Sequence, residues 1–123
     1  MADLDDLTVY RVAVELAREV ERAIRGPMFR GGGELARQLR KSAVSVVSNI
    51  AEGHGRGRRK EFAHYLLIAK GSCSEAKSQV AMARDADRLT LEQYRRLDQL
   101  ADRVGAMLYK LHISVEKQED PGA

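Results

Sequence analysis

Hydrophobic positions recur with helical spacing along nearly the whole chain, in four separate stretches. Within each stretch the apolar residues lie three or four positions apart, which places them on one side of an α-helix. This pattern predicts helices over about residues 7–25, 34–52, 59–88 and 91–116. The fourth stretch has the most regular stripe, which runs through Tyr94, Leu97, Ala101, Val104, Leu108, Leu111 and Val115.

Local signals mark where these helices begin and end. The segment between the first two helices reads GPMFRGGG, and its glycines and proline are unsuited to a helix. Thr90 and Gln93 have the spacing of a capping box at the start of the fourth helix. Gly53 is placed just past the second helix, where a left-handed conformation costs glycine nothing.

Sustained spacing of three and four residues on neighbouring helices is typical of a shallow crossing angle. The sequence therefore predicts an all-α fold, an antiparallel up-down four-helix bundle. At 123 residues the chain is expected to form a single domain over 1–123. The polar segment 117–123 is expected to be a frayed tail.

The second helix has an apolar arc that is wider than one core face requires. Its main stripe is broadened by Val44, Val47 and Ala51. In the third helix, small residues in AKGSCSEAKS would let a neighbouring helix approach closely. Together these features predict a homo-oligomer in which the second helix also packs against another subunit.

Composition supports this helical interpretation and indicates where in the cell the protein is found. Charged residues make up 32% of the chain and hydrophobic residues 44%. No apolar run approaches the roughly 20 residues that cross a bilayer, and the acidic start MADLDDL is unlike a secretory signal. We expect a cytoplasmic protein without membrane contact. The lone Cys73 is expected to be a small buried thiol.

Positive charge is concentrated between residues 37 and 60. Seven Lys or Arg residues and one Glu give this segment a balance of +6, while the whole chain carries only +3. Such a basic collar would contact nucleic-acid phosphates, with steep salt dependence. No aromatic residue interleaves the run, so base readout is not supported. The alternative is a solvated face that keeps the protein soluble. The candidate nucleic-acid-binding residues are Arg37, Arg40, Lys41, Arg56, Arg58, Arg59 and Lys60.

Polar residues among the valines of the second helix form a second candidate group. Ser45, Ser48 and Asn49 lie on the apolar side, and Glu52 follows Asn49 by three positions. Buried polar groups need partners, and we expect Lys70 or Glu75 on the third helix to supply them. We interpret this group, with Gly53, as fixing register and assembly. A binding pocket or catalytic cluster is the alternative.

Glu61 and His64 have the E-x-x-H spacing of di-iron bundles. That chemistry requires two such pairs and further glutamates, and the sequence contains one pair. We therefore predict no metal, no cofactor and no catalytic residues. A metal-dependent bundle enzyme is kept as the least favoured alternative.

Two longer motifs point to a family. QLRKSAVSVVSNIAEG at residues 38–53 and YLLIAKGSCSE at 65–75 resemble signatures of a bacterial four-helix bundle family, described as ribosomal RNA-associated or intervening-sequence proteins. The segment GPMFRGGGE departs from the family pattern before the second helix. Lys70 replaces a frequent arginine, which keeps the charge but loses bidentate geometry.

The resemblance implies more than the residue patterns do. Relatives of this family assemble as ring-shaped homopentamers, and a related branch serves as accessory proteins of diversity-generating retroelements. Those accessory proteins bind a reverse transcriptase and nucleic acid. We therefore predict a non-enzymatic, oligomeric accessory or scaffold protein that contacts RNA or DNA backbones. The alternative is an adaptor that docks a protein partner such as a reverse transcriptase.

Overall fold

The computed structural model describes residues 3–30 and 32–118. A 3₁₀ turn at Leu4–Asp6 precedes α1 (Thr8–Arg25), α2 (Gly33–Gly55), α3 (Arg59–Asp85) and α4 (Leu91–Lys117). The described residues contain no strand, and the predicted all-α fold with four helices is confirmed. Of the predicted frayed tail, residues 119–123 lie outside the described residues.

Each helix packs against two others, so that α1, α2, α3 and α4 enclose one core. Contacts between α3 and α4 run in opposite directions along the chain. Arg59 at the start of α3 meets Glu116 at the end of α4, and Lys77 further along α3 meets Asp98 near the start of α4. These two contacts place the start of α3 beside the end of α4.

Large aliphatic side chains from every helix meet in the centre. Leu16, Leu39, Leu66 and Leu108 come from the four helices in turn, and each is fully buried. Burial of a leucine side chain stabilises a fold by about 1.5–3 kcal/mol relative to its exposure. The periodic stripes therefore face a shared core, as helical spacing requires.

Both connections at one end of the bundle also send a large side chain into the core. Phe29, between α1 and α2, and Leu89, between α3 and α4, are fully buried. Arg88 covers this end, since its guanidinium carbon lies 5.9 Å from the centroid of the Phe29 ring. It also donates to the Phe29 carbonyl at 3.4 Å. The glycine-rich first connection is thus anchored by its one aromatic residue.

The end of α2 differs from the sequence prediction. The helix continues to Gly55, so Gly53 is a buried residue within it and not a left-handed cap. A Cβ atom added at Gly53 would lie 2.6 Å from the Cβ of Tyr65. Glycine is needed here because α2 and α3 approach closely. The left-handed glycine of this connection is Gly57, whose φ is 73°.

The end of α3 also differs, because the helix stops at Asp85 and not at residue 88. Asp87 has a φ of 59°, which interrupts the right-handed helix. The backbone N–H of Arg88 then donates to the Ala83 carbonyl at 2.8 Å, closing the helix end. Aspartate tolerates the left-handed conformation better than most residues, so the sequence carried only a weak signal for this stop.

Candidate nucleic-acid interface

The seven candidate cations fall into two groups separated by most of α2. Arg37, Arg40 and Lys41 lie in its first turns, whereas Arg56 and the segment 58–60 follow its last turn. At 1.5 Å per residue, Lys41 and Arg56 are about 22 Å apart along the helix axis. In a single chain the predicted collar is therefore not one continuous patch, because the helix separates groups that are close in sequence.

Three of these arginines are engaged in ion pairs. Arg37 pairs with Glu34 through Nε at 3.0 Å, and Arg40 Nε donates to Oε2 of Glu21 at 2.7 Å. The hydrogen bond from Arg40 lowers the pKa of the Glu21 carboxyl. Those from Arg37 and Gln38 lower the pKa of Glu34 to about 2.

Arg56 is held by two partners on different helices. Its Nη2 lies 2.9 Å from Oε1 of Glu52 and donates to the Tyr65 hydroxyl at 3.0 Å. The guanidinium carbon also lies 5.4 Å from the centroid of the Tyr65 ring. This arginine ties the end of α2 to α3, so part of its charge is already compensated within the chain.

Arg59 closes the end of α4. Its Nη1 donates to the carbonyl oxygens of Glu116 at 2.8 Å and of Val115 at 3.5 Å. The last carbonyls of a helix have no partner within the helix, and a basic side chain satisfies them. Arg59 therefore has a structural role in addition to its charge.

Lys41, Arg58 and Lys60 are exposed and differ from the other members of the set in having no partner among the described residues. Within the described residues none of the three forms an ion pair or a side-chain hydrogen bond. Arg58 and Lys60 flank Arg59 where the second connection enters α3. These two cations can bind phosphate without breaking an existing contact.

Sequence reasoning missed other exposed cations because they are dispersed along helices. The sequence pattern that could have revealed them is a spacing of about seven residues, which places successive cations on one side of a helix. On α4 these are Arg95, Arg103 and Lys110, and on α1 they are Arg11 and Arg18. The exposed positive charge of the chain is therefore broader than the run from 37 to 60.

The polar group of α2 forms a compact network with α3. The hydroxyl oxygens of Ser45 and Ser72 are 2.8 Å apart, and Asn49 Nδ2 donates to the Ser45 carbonyl at 2.8 Å and to its hydroxyl at 3.0 Å. These bonds join α2 to α3 and fix their relative position. The role of this network in register and assembly stays a prediction.

Other members of the predicted polar group lie elsewhere. Ser48 and Glu52 are exposed, and Glu52 pairs with Arg56. Lys70 faces a groove between α3 and α4, and the exposed Glu75 lines one between α2 and α3. The hydrogen-bond partner of Asn49 is therefore Ser45 and not Lys70 or Glu75, because the Asn49 amide points toward the preceding turn of its own helix.

The groove between α3 and α4 has a volume of about 460 Å³ and a floor of small residues. Cys73 is buried beneath it, and its thiol donates to the Ala101 carbonyl at 3.2 Å. Burial raises the pKa of this thiol to about 11. Lys77 bridges Asp98 and Asp102 at 2.6 and 2.8 Å across the same groove, and its pKa is raised by both carboxylates.

The groove between α2 and α3 is more polar and has a volume of about 410 Å³. Its walls carry hydroxyl, amide and charged groups from both helices. The lining residues are Arg37, Gln38, Lys41, Ser42, Ser45, Ser72, Glu75 and Gln79.

Glu61 and His64 do not form part of a metal cluster in the part of the chain that the structure describes. His64 is exposed and packs edge-on against Tyr65, with ring centroids 5.6 Å apart.

Among the described helices none is long and apolar enough to span a membrane.

The structure is that of a small all-α protein with four helices. The chemistry available on its surface comes mainly from exposed Lys and Arg side chains. The sequence model of the 23S rRNA-intervening sequence protein family matches residues 5–110. The chain belongs to this family.

Solved structures show the same fold. A protein of unknown function from the S23 ribosomal protein family of Bacteroides thetaiotaomicron superposes with a TM-score of 0.77 at 21% identity. The match covers 85% of this chain and 95% of that one. No curated protein matches the sequence.

Proposed function

We propose that the protein is a non-enzymatic accessory protein that binds RNA through its phosphate backbone. The observation that carries this proposal is the pair of exposed, unpaired cations Arg58 and Lys60 beside the second connection. Membership of a family described by a 23S rRNA intervening sequence favours RNA over other polyanions. The exposed Lys41 adds a second contact point near the start of α2.

Assembly of several copies is part of the proposal. A two-cation contact binds phosphates weakly, and repeating it in an oligomer raises the effective concentration of the remaining sites. Support comes from α2, where Val44 is 55% exposed on the outer side of an otherwise well-packed helix. We propose a homo-oligomeric ring of up-down antiparallel bundles. The number of five subunits and a reverse transcriptase partner stay predictions.

Binding of a labelled single-stranded RNA at several salt concentrations tests the function. The double variant Arg58→Gln/Lys60→Gln should bind more weakly. It should also reduce the slope of log affinity against log salt by roughly 1.4, since each lost contact to a single strand contributes about 0.7. The effect should be similar for RNAs of different sequence, because phosphates carry no sequence information.

A matched control removes the same charge at a distant place. Arg95→Gln/Arg103→Gln changes two exposed cations on α4, and neither forms an ion pair within the described residues. Arg95 is near the start of α4, about 31 Å along the helix from the end that Arg59 caps. Equal losses in both double variants would show non-specific attraction to net charge, and salt-independent binding would overturn the proposal.

A further inference from the structure

The groove between α2 and α3 contains polar atoms whose hydrogen-bonding capacity is unused. Ser42 is 5% exposed, lines the groove and forms no side-chain hydrogen bond with the described residues. Oε1 of Gln79 is buried and has no hydrogen-bond partner. An unpaired buried acceptor is unfavourable, because it has lost its hydrogen bonds to water and gained none in return. The unpaired Gln79 oxygen, together with the unused Ser42 hydroxyl beside it, indicates that a ligand supplies the missing partners.

The two walls of this groove carry different polar groups. Cations project from α2, where Lys41 is unpaired and Arg37 is paired with Glu34. Acceptors project from α3, where Glu75 and Gln79 line the opposite wall. A fitting ligand therefore has an anion at one side and hydroxyl donors at the other.

We propose that this groove binds a ribose-phosphate unit of RNA and distinguishes ribose from deoxyribose. The phosphate lies against Lys41 on α2, and the 2′-hydroxyl donates to Oε1 of Gln79 on α3. This pose requires the half-buried Gln79 side chain to rotate about its terminal torsion, so that its buried oxygen turns into the groove. The Ser42 hydroxyl supplies a further partner to the sugar. This inference rests on the proposed RNA-binding function.

The chemistry of the walls excludes close alternatives. A sugar lacking the 2′-hydroxyl leaves the Gln79 acceptor unpaired, since deoxyribose has no donor at that position. A second phosphate near Glu75 would meet a carboxylate of the same charge. The α3 wall of the groove thus distinguishes ribose from deoxyribose, while the cations of α2 bind the phosphate backbone of the RNA.

The test compares one single-stranded sequence made as RNA, as DNA and as 2′-O-methyl RNA. The wild-type protein should bind RNA more tightly than either analogue, by roughly fivefold for one net hydrogen bond per site. In Gln79→Met, which keeps the side-chain length and removes the acceptor, this preference should fall to about one. Lys41→Met should weaken RNA and DNA binding by the same factor.

Controls separate this inference from the function on which it rests. Gln99→Met changes an exposed glutamine on α4 and should retain the RNA preference. Ser42→Ala should keep the helical circular dichroism spectrum and reduce the preference. If Gln79→Met keeps the preference while RNA still binds, the groove assignment is overturned and backbone binding stands.

Other outcomes also decide the matter. Equal wild-type affinity for RNA and its 2′-O-methyl form overturns the groove assignment alone. Absence of RNA binding overturns both proposals. A Gln79→Met protein that loses self-association but keeps its RNA preference would assign the groove to a second copy of the chain.

Discussion

Gly53 sets the distance between α2 and α3 by lacking a side chain. Gly53→Ala should lower the free energy of unfolding by about 1–3 kcal/mol, the usual cost of forcing atoms into a packed interface. The new methyl group would lie 2.6 Å from the Tyr65 Cβ and 3.1 Å from Cδ1 of Phe62. This cost exceeds the gain of up to about 1 kcal/mol that alanine normally brings to a helix. Urea unfolding of both proteins measures the difference.

Gly71 provides the matched control. It is exposed within α3, and no atom lies within 4 Å of an added Cβ. Gly71→Ala should raise the free energy of unfolding by about 0.5–1 kcal/mol. A Gly53→Ala protein as stable as Gly71→Ala would contradict the close approach of the two helices.

At this scale the sequence identified the right residues more often than their roles. Gly53 was recognisable as special, but the glycine spacing could not distinguish a helix end from a close contact. Arg40 was recognisable as a cation, yet its partner Glu21 is 19 positions away on another helix. Pairing of this kind depends on how helices pack, and no local pattern records it.

At the scale of the helices, periodicity predicted where the elements lie because each helix has one buried stripe. The ends were less predictable. α2 extends to Gly55 because the chain beyond residue 52 keeps helical geometry until Gly57. α3 stops early, at Asp85, because Asp87 is left-handed. The start of α4 was predicted well, since Thr90 and Gln93 form both bonds of the capping box. That prediction is confirmed.

Thr90→Ala should lower the free energy of unfolding by about 1 kcal/mol, the typical contribution of an N-cap side chain. The lost bond is the one that the Gln93 N–H donates to the Thr90 hydroxyl at 3.0 Å. Thr8→Ala is the control, because Thr8 is exposed and the start of α1 has no side-chain cap. Midpoints of urea unfolding report both changes. An equal effect of the two substitutions would argue against a special role of the Thr90 cap.

For the whole molecule, the wide apolar arc of α2 predicted a second buried surface. In the structure, part of this arc packs against the core and part is exposed. Val47 packs against the core, whereas Val44 is exposed. Helical spacing alone could not separate these two positions, because they lie three apart on one side of the helix.

Val44→Glu should therefore leave the chain folded and weaken self-association at least tenfold, since an unpaired carboxylate in an interface is costly. Sedimentation velocity over a range of micromolar concentrations measures the association, and thermal unfolding by circular dichroism measures the fold. Leu91→Glu, at an exposed position at the start of α4, should retain assembly. A Val44→Glu protein that unfolds, or assembles as before, would show that Val44 is not at an interface.

Cys73 has a consequence for how copies of this chain can be joined. It is the single cysteine of the sequence, it is buried, and burial raises the pKa of its thiol to about 11. No disulfide can therefore link two folded copies, and reactive oxidants in the cell find no accessible thiolate. Any oligomer is held by non-covalent contacts and obeys mass action. The proposed oligomer should therefore respond to protein concentration and not to redox state.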